Sequence, residues 1–179
     1  MHKLLILLAT ILTSFSVVAG PKLVNLSLTP DIAVFDKGER IEGLTLSIWG
    51  QNPQSSLEFG FVNGSTGESK GLALAFLVNY TEDFKGVSWA PVNYATNSFL
   101  GWQGGLINYT EGKMTGFQSG LVNYAGRMTG LQLGLVNYAK EADSAVQVGL
   151  INVITQNTEW FSDLPDTLAP GMVFVNWRF

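Results

Sequence analysis

The sequence predicts an all-β protein made of tandem repeats of about 15 residues. The clearest sign is a recurring Asn that follows Val or Ile and returns every 14 to 16 residues, at Asn63, Asn79, Asn93, Asn108, Asn123, Asn137 and Asn152. All five tyrosines of the chain directly follow one of these Asn residues. Repetition at a short, nearly fixed period indicates that one structural unit is copied along the chain.

Each repeat has the pattern of a single β-strand followed by a short turn. In residues 130–137, Leu131, Leu133 and Leu135 fall on one face, and Gly, Gln and Gly alternate with them on the other. Strict alternation over seven or eight residues is typical of a strand. Polar segments between the strands have the composition of turns. A leading strand near Val24–Phe35 and a closing strand at Gly171–Phe179 bring the expected total to about ten.

Two architectures place one strand in every 15 residues. In an up-and-down antiparallel β-barrel, each repeat is one strand of the wall, and the large apolar face points outward to lipid. In a parallel β-solenoid, each repeat is one coil, the recurring Asn residues stack, and the large apolar face forms a dry interior. The sequence favours a barrel of about ten strands, with the solenoid as the alternative. In both cases residues 20–179 form one repeat-built domain.

Three features favour the barrel. From Gly71 to Asn152, every charged side chain lies between the Gly-to-Asn strand segments, as a lipid-facing wall requires. The strand core Gly-Leu-Gln-Leu-Gly is the same in both directions, which suits antiparallel neighbours. The chain ends in the alternating sequence Val-Phe-Val-Asn-Trp-Arg-Phe, and this resembles the closing strand of bacterial outer-membrane barrel proteins.

The repeats also resemble those of a bacterial surface-repeat family first named from spirochaete proteins. The residues that carry the resemblance are Gly-Leu-Gln-x-Gly-Leu-Val-Asn units, present here as GLALAFLVNY, GLQLGLVNYA and VQVGLINVI. The resemblance spans about Leu23 to Phe179. It departs from the family pattern at Gly50, which replaces the recurring Asn, at Pro91, and in the insert 155–170. It implies an exported, repeat-built protein and implies no particular activity.

The first 19 residues have the pattern of a secretory signal peptide. Lys3 precedes an apolar run from Leu4 to Phe15, and small residues up to Ala19 predict cleavage there. The run is shorter than the roughly 20 residues that span a bilayer. Without residues 1–19 the chain loses Lys3 and no acid, so 9 basic and 14 acidic residues remain, a net charge of −5.

The composition also limits the expected partners and location. An acidic chain is unsuited to nucleic acid, because binding phosphates requires a basic surface. The signal peptide predicts an exported protein, located in the outer membrane or at the cell surface. The expected partner is therefore the lipid bilayer of the outer membrane, together with a surface ligand that the sequence does not name.

The sequence predicts no catalysis, no cofactor and no metal. The single His is His2, and the chain has no Cys. The processed protein would therefore lack the residues for a Ser-His-Asp triad, a Cys-His pair or a His-ligated metal. Two acid pairs, at 82–83 and 163/166, could do acid–base chemistry, but their turn-like surroundings are typical of solvated surface charge.

One set of polar residues occupies the same place in successive strands: Thr45, Glu58, Ser88, Gln103, Gln118, Gln132 and Gln147. In a barrel these side chains would form a ring at mid-height in the lumen. The ring could be the selectivity filter of a narrow channel for small solutes, or a hydrogen-bonded structural plug. A barrel of about ten strands favours the plug, because small barrels are filled by side chains.

The segment 156–169 is the one long connection and contains Trp160, Phe161, Asp163 and Asp166. Long loops often carry binding residues, so this loop is predicted to be a surface contact. These features together favour a small outer-membrane barrel with a structural or surface-interaction role. The alternatives are a narrow channel and a secreted β-solenoid that serves as a binding or adhesion surface.

Overall fold

The computed structural model describes residues 20–179, which form a β-solenoid; the predicted signal peptide, residues 1–19, lies outside the described residues. One sheet contains all nine strands in the order β2-β1-β3-β4-β5-β6-β7-β8-β9. In the described part of the chain, no helix has the length and apolar character to cross a membrane. The strands are β1 Val24–Thr29, β2 Ile32–Ala33, β3 Leu44–Trp49, β4 Leu57–Trp89, β5 Val92–Gly104, β6 Ile107–Ser119, β7 Val122–Leu133, β8 Val136–Ile154 and β9 Gly171–Arg178.

The antiparallel barrel predicted from the sequence is wrong, and the alternative, a solenoid with one repeat per coil, is confirmed. Neighbouring strands from β3 to β8 are parallel. Asn93 pairs with Asn108 and Tyr94 with Tyr109, so each repeat lies directly on the one before. The symmetric strand core did not discriminate between the two folds, because parallel stacking in register also brings Gln beside Gln and Gly beside Gly.

The two faces of each strand point the opposite way from the arrangement expected for a solenoid. The amides and glycines face inward, and the leucines face outward. Gln132 is completely buried, whereas Leu133 and Leu135 are 46% and 54% exposed. The physical reason is that stacked amides at the strand spacing of about 4.8 Å can hydrogen-bond to one another. Most buried polar groups are therefore satisfied inside the coil; the exceptions in residues 20–179 are the hydroxyls of Thr81 and Thr129 and the Oε1 of Gln147.

Each coil sends side chains inward at five places, and each place forms a column along the solenoid axis. Two columns are amides, the recurring Asn and the Gln set. One column is Gly or a small residue three positions before the Asn, and another is mostly Ala or Thr two positions after it. The fifth is apolar and consists mainly of Phe84, Phe99, Met114 and Met128. The apolar core is thus narrow, and the amide columns fill much of the interior.

The recurring Asn residues form a continuous hydrogen-bonded ladder. From Asn63 to Asn152, each side-chain Nδ2 donates to the Oδ1 of the next Asn at 2.8 to 3.2 Å. The Nδ2 of Asn123 also donates to the main-chain carbonyl of Leu133 in the next coil, at 3.0 Å. Both N–H donors and the acceptor of this buried amide are therefore used, which is what burial of an Asn requires.

Glycine at a recurring corner within strands β4 to β7 allows the coils to stack closely. Gly101 has φ +134°, and a Cβ there would lie 1.9 Å from the carbonyl oxygen of Gly86 in the preceding coil. Gly116 repeats the arrangement one coil later. A positive φ and a backbone this close both exclude residues with a side chain, which explains why Gly recurs in the repeat.

Strands of opposite direction close both ends of the solenoid. At one end, β2 is antiparallel to β1, and at the other, β9 is antiparallel to β8. Part of the outer edge of β9 is covered in turn, because Leu168 N donates to Trp177 O and Phe179 N donates to Asp166 O. Capped edges hinder the addition of another strand. The aromatic C-terminal segment, which resembled a barrel's closing strand, is the cap of a solenoid.

Replacing Asn123 with Ala should lower the free energy of unfolding by about 3–5 kcal/mol, because the two neighbouring ladder amides each lose a partner in a buried site. The carbonyl of Leu133 also loses one of its two donors and keeps the N–H of Gly120. Urea denaturation measures the change. The matched control is Asn97→Ala, which removes an exposed Asn that donates to Asp83 and should cost less than about 1 kcal/mol. Equal losses in the two variants would contradict the structural role of the ladder.

Candidate functional site

The largest candidate site is a flat apolar surface that we call the leucine face. It consists of outward-pointing side chains in three columns along the solenoid axis, between residues 44 and 150. Their exposed fractions range from 36% to 56%. The exposed large members are Leu46, Ile48, Phe59, Phe61, Leu72, Phe76, Trp89, Trp102, Leu106, Leu121, Leu131, Leu133, Leu135, Val148 and Leu150.

The leucine face is large for a protein of this size. Eight coils at about 4.8 Å per strand give a length of roughly 40 Å, and three columns at alternate positions give a width of about 13 Å. The projected area is therefore on the order of 500 Å². Contiguous apolar patches of this size on soluble proteins mark interaction sites for proteins, membranes or ligands.

Trp102 fills a depression in the leucine face that two small residues would otherwise leave. The middle column has Gly104 and Ser119 in adjacent coils. The Trp102 ring lies beside Gly104, since a Cβ on that glycine would be 3.2 Å from ring atoms. Its Nε1 donates to Ser119 Oγ at 2.8 Å, and its ring stacks on Phe117 with centroids 6.3 Å apart. The indole therefore fills the depression.

The charged side chains of the coils lie on another side of the solenoid. One column there contains Asp83, Lys113, Arg127 and Glu141 in nearby coils. Arg127 forms ion pairs with Glu141 and Asp143. The separation follows from the sequence, because between Gly71 and Asn152 every charged residue lies outside the Gly-to-Asn segments that form the leucine face. The leucine face is consequently uncharged over its whole length.

Two open polar grooves lie away from the leucine face. The larger, with a volume of about 910 Å³, is lined on its charged side by Arg40, Glu42, Glu68, Lys70, Asp83 and Lys85. The smaller, about 360 Å³, lies beside the 156–169 insert and includes Asp163 and Arg178. Their linings mix both signs of charge and do not select one ligand chemistry. Among residues 20–179, no three His, Cys, Asp or Glu side chains are grouped to hold a metal ion.

The five tyrosines form a single stack along one side of the solenoid: Tyr80, Tyr94, Tyr109, Tyr124 and Tyr138. Neighbouring ring centroids are 4.3 to 5.8 Å apart, and the rings are tilted by 16° or less. Because the rings cover each other's faces, mainly their edges and hydroxyls reach solvent. The Tyr94 hydroxyl donates to the Glu111 carboxylate, and this hydrogen bond raises the pKa of Tyr94 to about 12.

The polar set predicted to form a ring forms a column along the axis instead. Thr45 pairs with Glu58, Ser88 with Gln103, and the Gln residues follow in register. Gln118, Gln132 and Gln147 each donate Nε2 to the Oε1 of the preceding Gln at 2.7 to 2.8 Å. The predicted ring, and the selectivity filter that it could form, both required an open lumen surrounded by strands. In residues 20–179 these side chains are buried in the interior, where the four Gln side chains bond to one another. The other three bond outside the set, Thr45 to Gln54, Glu58 to Ser65, and Ser88 to Asn79 and Asn93.

Glu58 is a buried acid at the place where later coils carry Gln. It is 2% exposed, and this burial raises the pKa of its carboxyl to about 7, although the hydrogen bond from the Ser65 hydroxyl at 2.6 Å acts in the opposite direction. Gln118 also donates to the main-chain carbonyl of Tyr124, six residues along the chain. The ionised Glu58 has no donor for the equivalent carbonyl, so its neutral form suits the column better.

The predicted contact loop is exposed. Trp160 is 60% and Phe161 is 52% exposed, and their rings meet edge to face with centroids 6.1 Å apart. Asp163 and Asp166 are exposed beside them. The structure thus brings all four residues to one surface segment near the end of the solenoid. Their contact with a partner stays a prediction.

No protein-family model, curated protein or solved structure matches this chain. The candidate site therefore rests on the geometry of the chain itself. Sequence reasoning recognised the outward leucines but assigned them to a barrel wall, and it missed the tyrosine stack. The signal for the stack was present, since Tyr directly follows five successive recurring Asn residues, from Asn79 to Asn137, and these tyrosines become one continuous column as soon as the repeats are parallel and in register.

Replacing Glu58 with Gln should stabilise the protein at pH 8 and leave its stability nearly unchanged at pH 5. The folded-state pKa of about 7 exceeds the ordinary value of 4.5, so the stability that protonated Glu58 contributes is complete below pH 4.5 and is lost as pH rises to 7. The full difference is on the order of 3 kcal/mol. Urea unfolding of both proteins from pH 5 to 8 measures it.

The control for this experiment is Glu42→Gln, which removes an acid that is exposed in the structure. It should shift the free energy of unfolding by less than about 0.5 kcal/mol at every pH. If the difference between wild type and Glu58→Gln were the same at pH 5 and pH 8, the burial of an ionisable Glu58 would be disproved.

Replacing Tyr109 with Leu should cost more stability than the same change at Tyr80. Tyr109 stacks on two rings, with centroids 5.4 and 4.3 Å away, and Tyr80 on one, at 5.8 Å. At about 0.5–1.5 kcal/mol per aromatic pair, the expected losses are about 1–3 and 0.5–1.5 kcal/mol. Chemical denaturation of the two variants provides the comparison, and a larger loss at Tyr80 would argue against a continuous stack.

Proposed function

We propose that this protein is an exported, non-catalytic β-solenoid that uses the leucine face as a binding or adhesion surface at the outer membrane or cell surface. The observation that carries the proposal is the leucine face itself, an uncharged apolar area on the order of 500 Å² on a folded, capped solenoid. Apolar side chains exposed on this scale are unfavourable in water unless a partner covers them. Their removal from water is the driving force for binding.

The amide-filled interior supports this function by making the leucine face rigid. Columns of hydrogen-bonded Asn and Gln fix each coil relative to the next, so the outward side chains keep a regular spacing. A preformed surface loses little conformational freedom when it binds. The solenoid thus acts as a stiff support, and its strand segments between residues 44 and 150 present the leucine face to the partner.

Export is supported by the sequence. Residues 1–19 have the pattern of a signal peptide. The chain contains no Cys, so its folding needs no disulfide bond either inside or outside the cell. The resemblance to exported surface-repeat proteins agrees with this location. Fractionation of the producing cells, with antibody detection, tests it, and a protein confined to the cytoplasm would contradict export.

Two glutamates on the leucine face should abolish its adhesion. Leu106 and Leu135 are each 54% exposed and lie two coils apart, so the double variant Leu106→Glu/Leu135→Glu adds charge without disturbing the interior. Binding of the processed protein to a phenyl matrix and to neutral phosphatidylcholine vesicles should fall at least about tenfold, because each buried charge costs several kcal/mol. Circular dichroism and urea midpoints verify the fold.

The matched control carries the same added charge away from the leucine face. Thr158 and Leu164 are exposed in the insert, and Leu164, at 53% exposed, matches the two test positions. Thr158→Glu/Leu164→Glu should bind like the wild type. If both double variants bind equally well, the leucine face is not the adhesive surface. If the control alone loses binding, the insert with Trp160 and Phe161 is the contact region instead.

A further inference from the structure

We propose that a second copy of this chain covers the leucine face, so that two solenoids pack face to face as a symmetric dimer. The inference rests on the proposed function, because it names the occupant of the same surface. In this arrangement the sheet of one copy lies against the sheet of the other at about 10 Å, as in a β-sandwich. The same surface serves on both copies, as in an isologous two-fold interface.

The area of the leucine face suits such a dimer. Each copy contributes on the order of 500 Å² of projected area, so two copies cover about 1,000 Å² before the relief of the side chains is included. Specific interfaces begin at about this size. The neighbouring corner column enlarges the area further, because Trp49, Leu77, Ile107 and Ile151 are 43% to 53% exposed beside the leucine face.

The charge distribution favours a second copy over a lipid surface. The leucine face carries no charged side chain, so two copies can meet there without bringing like charges together. Without residues 1–19 the chain has an acid excess of five. Proteins that lie on anionic membranes need basic residues around the apolar surface, and an acidic chain is repelled.

The shape of the molecule also favours face-to-face packing. The Trp102 indole fills the depression at Gly104 and Ser119, so the surface is flat enough for another flat surface to pack on it. The antiparallel strands β2 and β9 cap the two ends, which hinders end-to-end addition of strands into a fibre. The side of the solenoid is therefore the surface left for a second copy, and the resulting assembly closes at two.

Sedimentation equilibrium of the exported, processed protein, without lipid or detergent, tests the proposal. The wild type should be a dimer in the micromolar range. Leu106→Glu/Leu135→Glu should raise the dissociation constant at least about 100-fold, since charges are then buried in the interface without partners. Thr158→Glu/Leu164→Glu should leave it unchanged. Circular dichroism and urea midpoints confirm that all three proteins are folded.

Single cysteines locate the interface independently, because the chain has no Cys of its own. Leu106→Cys, near the middle of the leucine face, should give covalent dimers with a short thiol cross-linker. Thr96→Cys should give none, because Thr96 lies off the leucine face, two residues after Tyr94 of the tyrosine stack. Cross-linking at Thr96 with none at Leu106 would overturn the arrangement.

Each remaining outcome separates this inference from the proposed function. A dimer that both double variants retain would overturn the face-to-face packing. A wild-type monomer that binds vesicles through the leucine face would overturn the dimer and leave the adhesive function in place. A wild-type monomer that binds neither vesicles nor a phenyl matrix would overturn both.

Discussion

Stacked side-chain amides are the interaction on which the rest of this structure depends. An Asn and a Gln placed at the same positions of successive coils can satisfy their donors and acceptors from the coils before and after, provided the strands are parallel and in register. The narrow apolar column of Phe84, Phe99, Met114 and Met128 could not by itself fix this register, since apolar contacts are non-directional. The amide hydrogen bonds are directional and fix the register, and the corner glycines let successive backbones approach closely enough for these bonds to form.

Filling the interior with amides determines what is left for the surface. Each strand alternates, so an inward Gln and Asn force the leucines outward. The outward leucines of successive coils lie side by side and together form the uncharged leucine face. The charged side chains of the coils lie on another side. The chemistry of the inner face therefore determines both the hydrogen-bonded coil and the exposed leucine face.

Much of this architecture could be predicted from the sequence, and the part that could not has a definite reason. The period, the alternation and the placement of Gln132 and Leu133 on opposite faces follow from residue spacing. Which face points inward does not, because the apolar face was expected inside a solenoid and lies outside. Strand direction does not, because the Gly-Leu-Gln-Leu-Gly core brings like residues together in either direction. Barrel and solenoid differ in their long-range strand pairing, and only the structure shows that Asn108 lies opposite Asn123. The sequence shows Glu58 as an exception at a position where later repeats have Gln, but only the fold shows that Glu58 is buried.

The two amide columns run in opposite senses. Asn side chains donate toward the C-terminal coil, as from Asn123 to Asn137, whereas Gln side chains donate toward the N-terminal coil, as from Gln132 to Gln118. In an α-helix aligned dipoles accumulate along the axis, but here each added coil contributes two opposed amides whose moments largely cancel. Electrostatics therefore sets no limit on length. A gene could gain or lose 15-residue units by duplication or deletion, and the molecule would become a longer or shorter rod of the same kind.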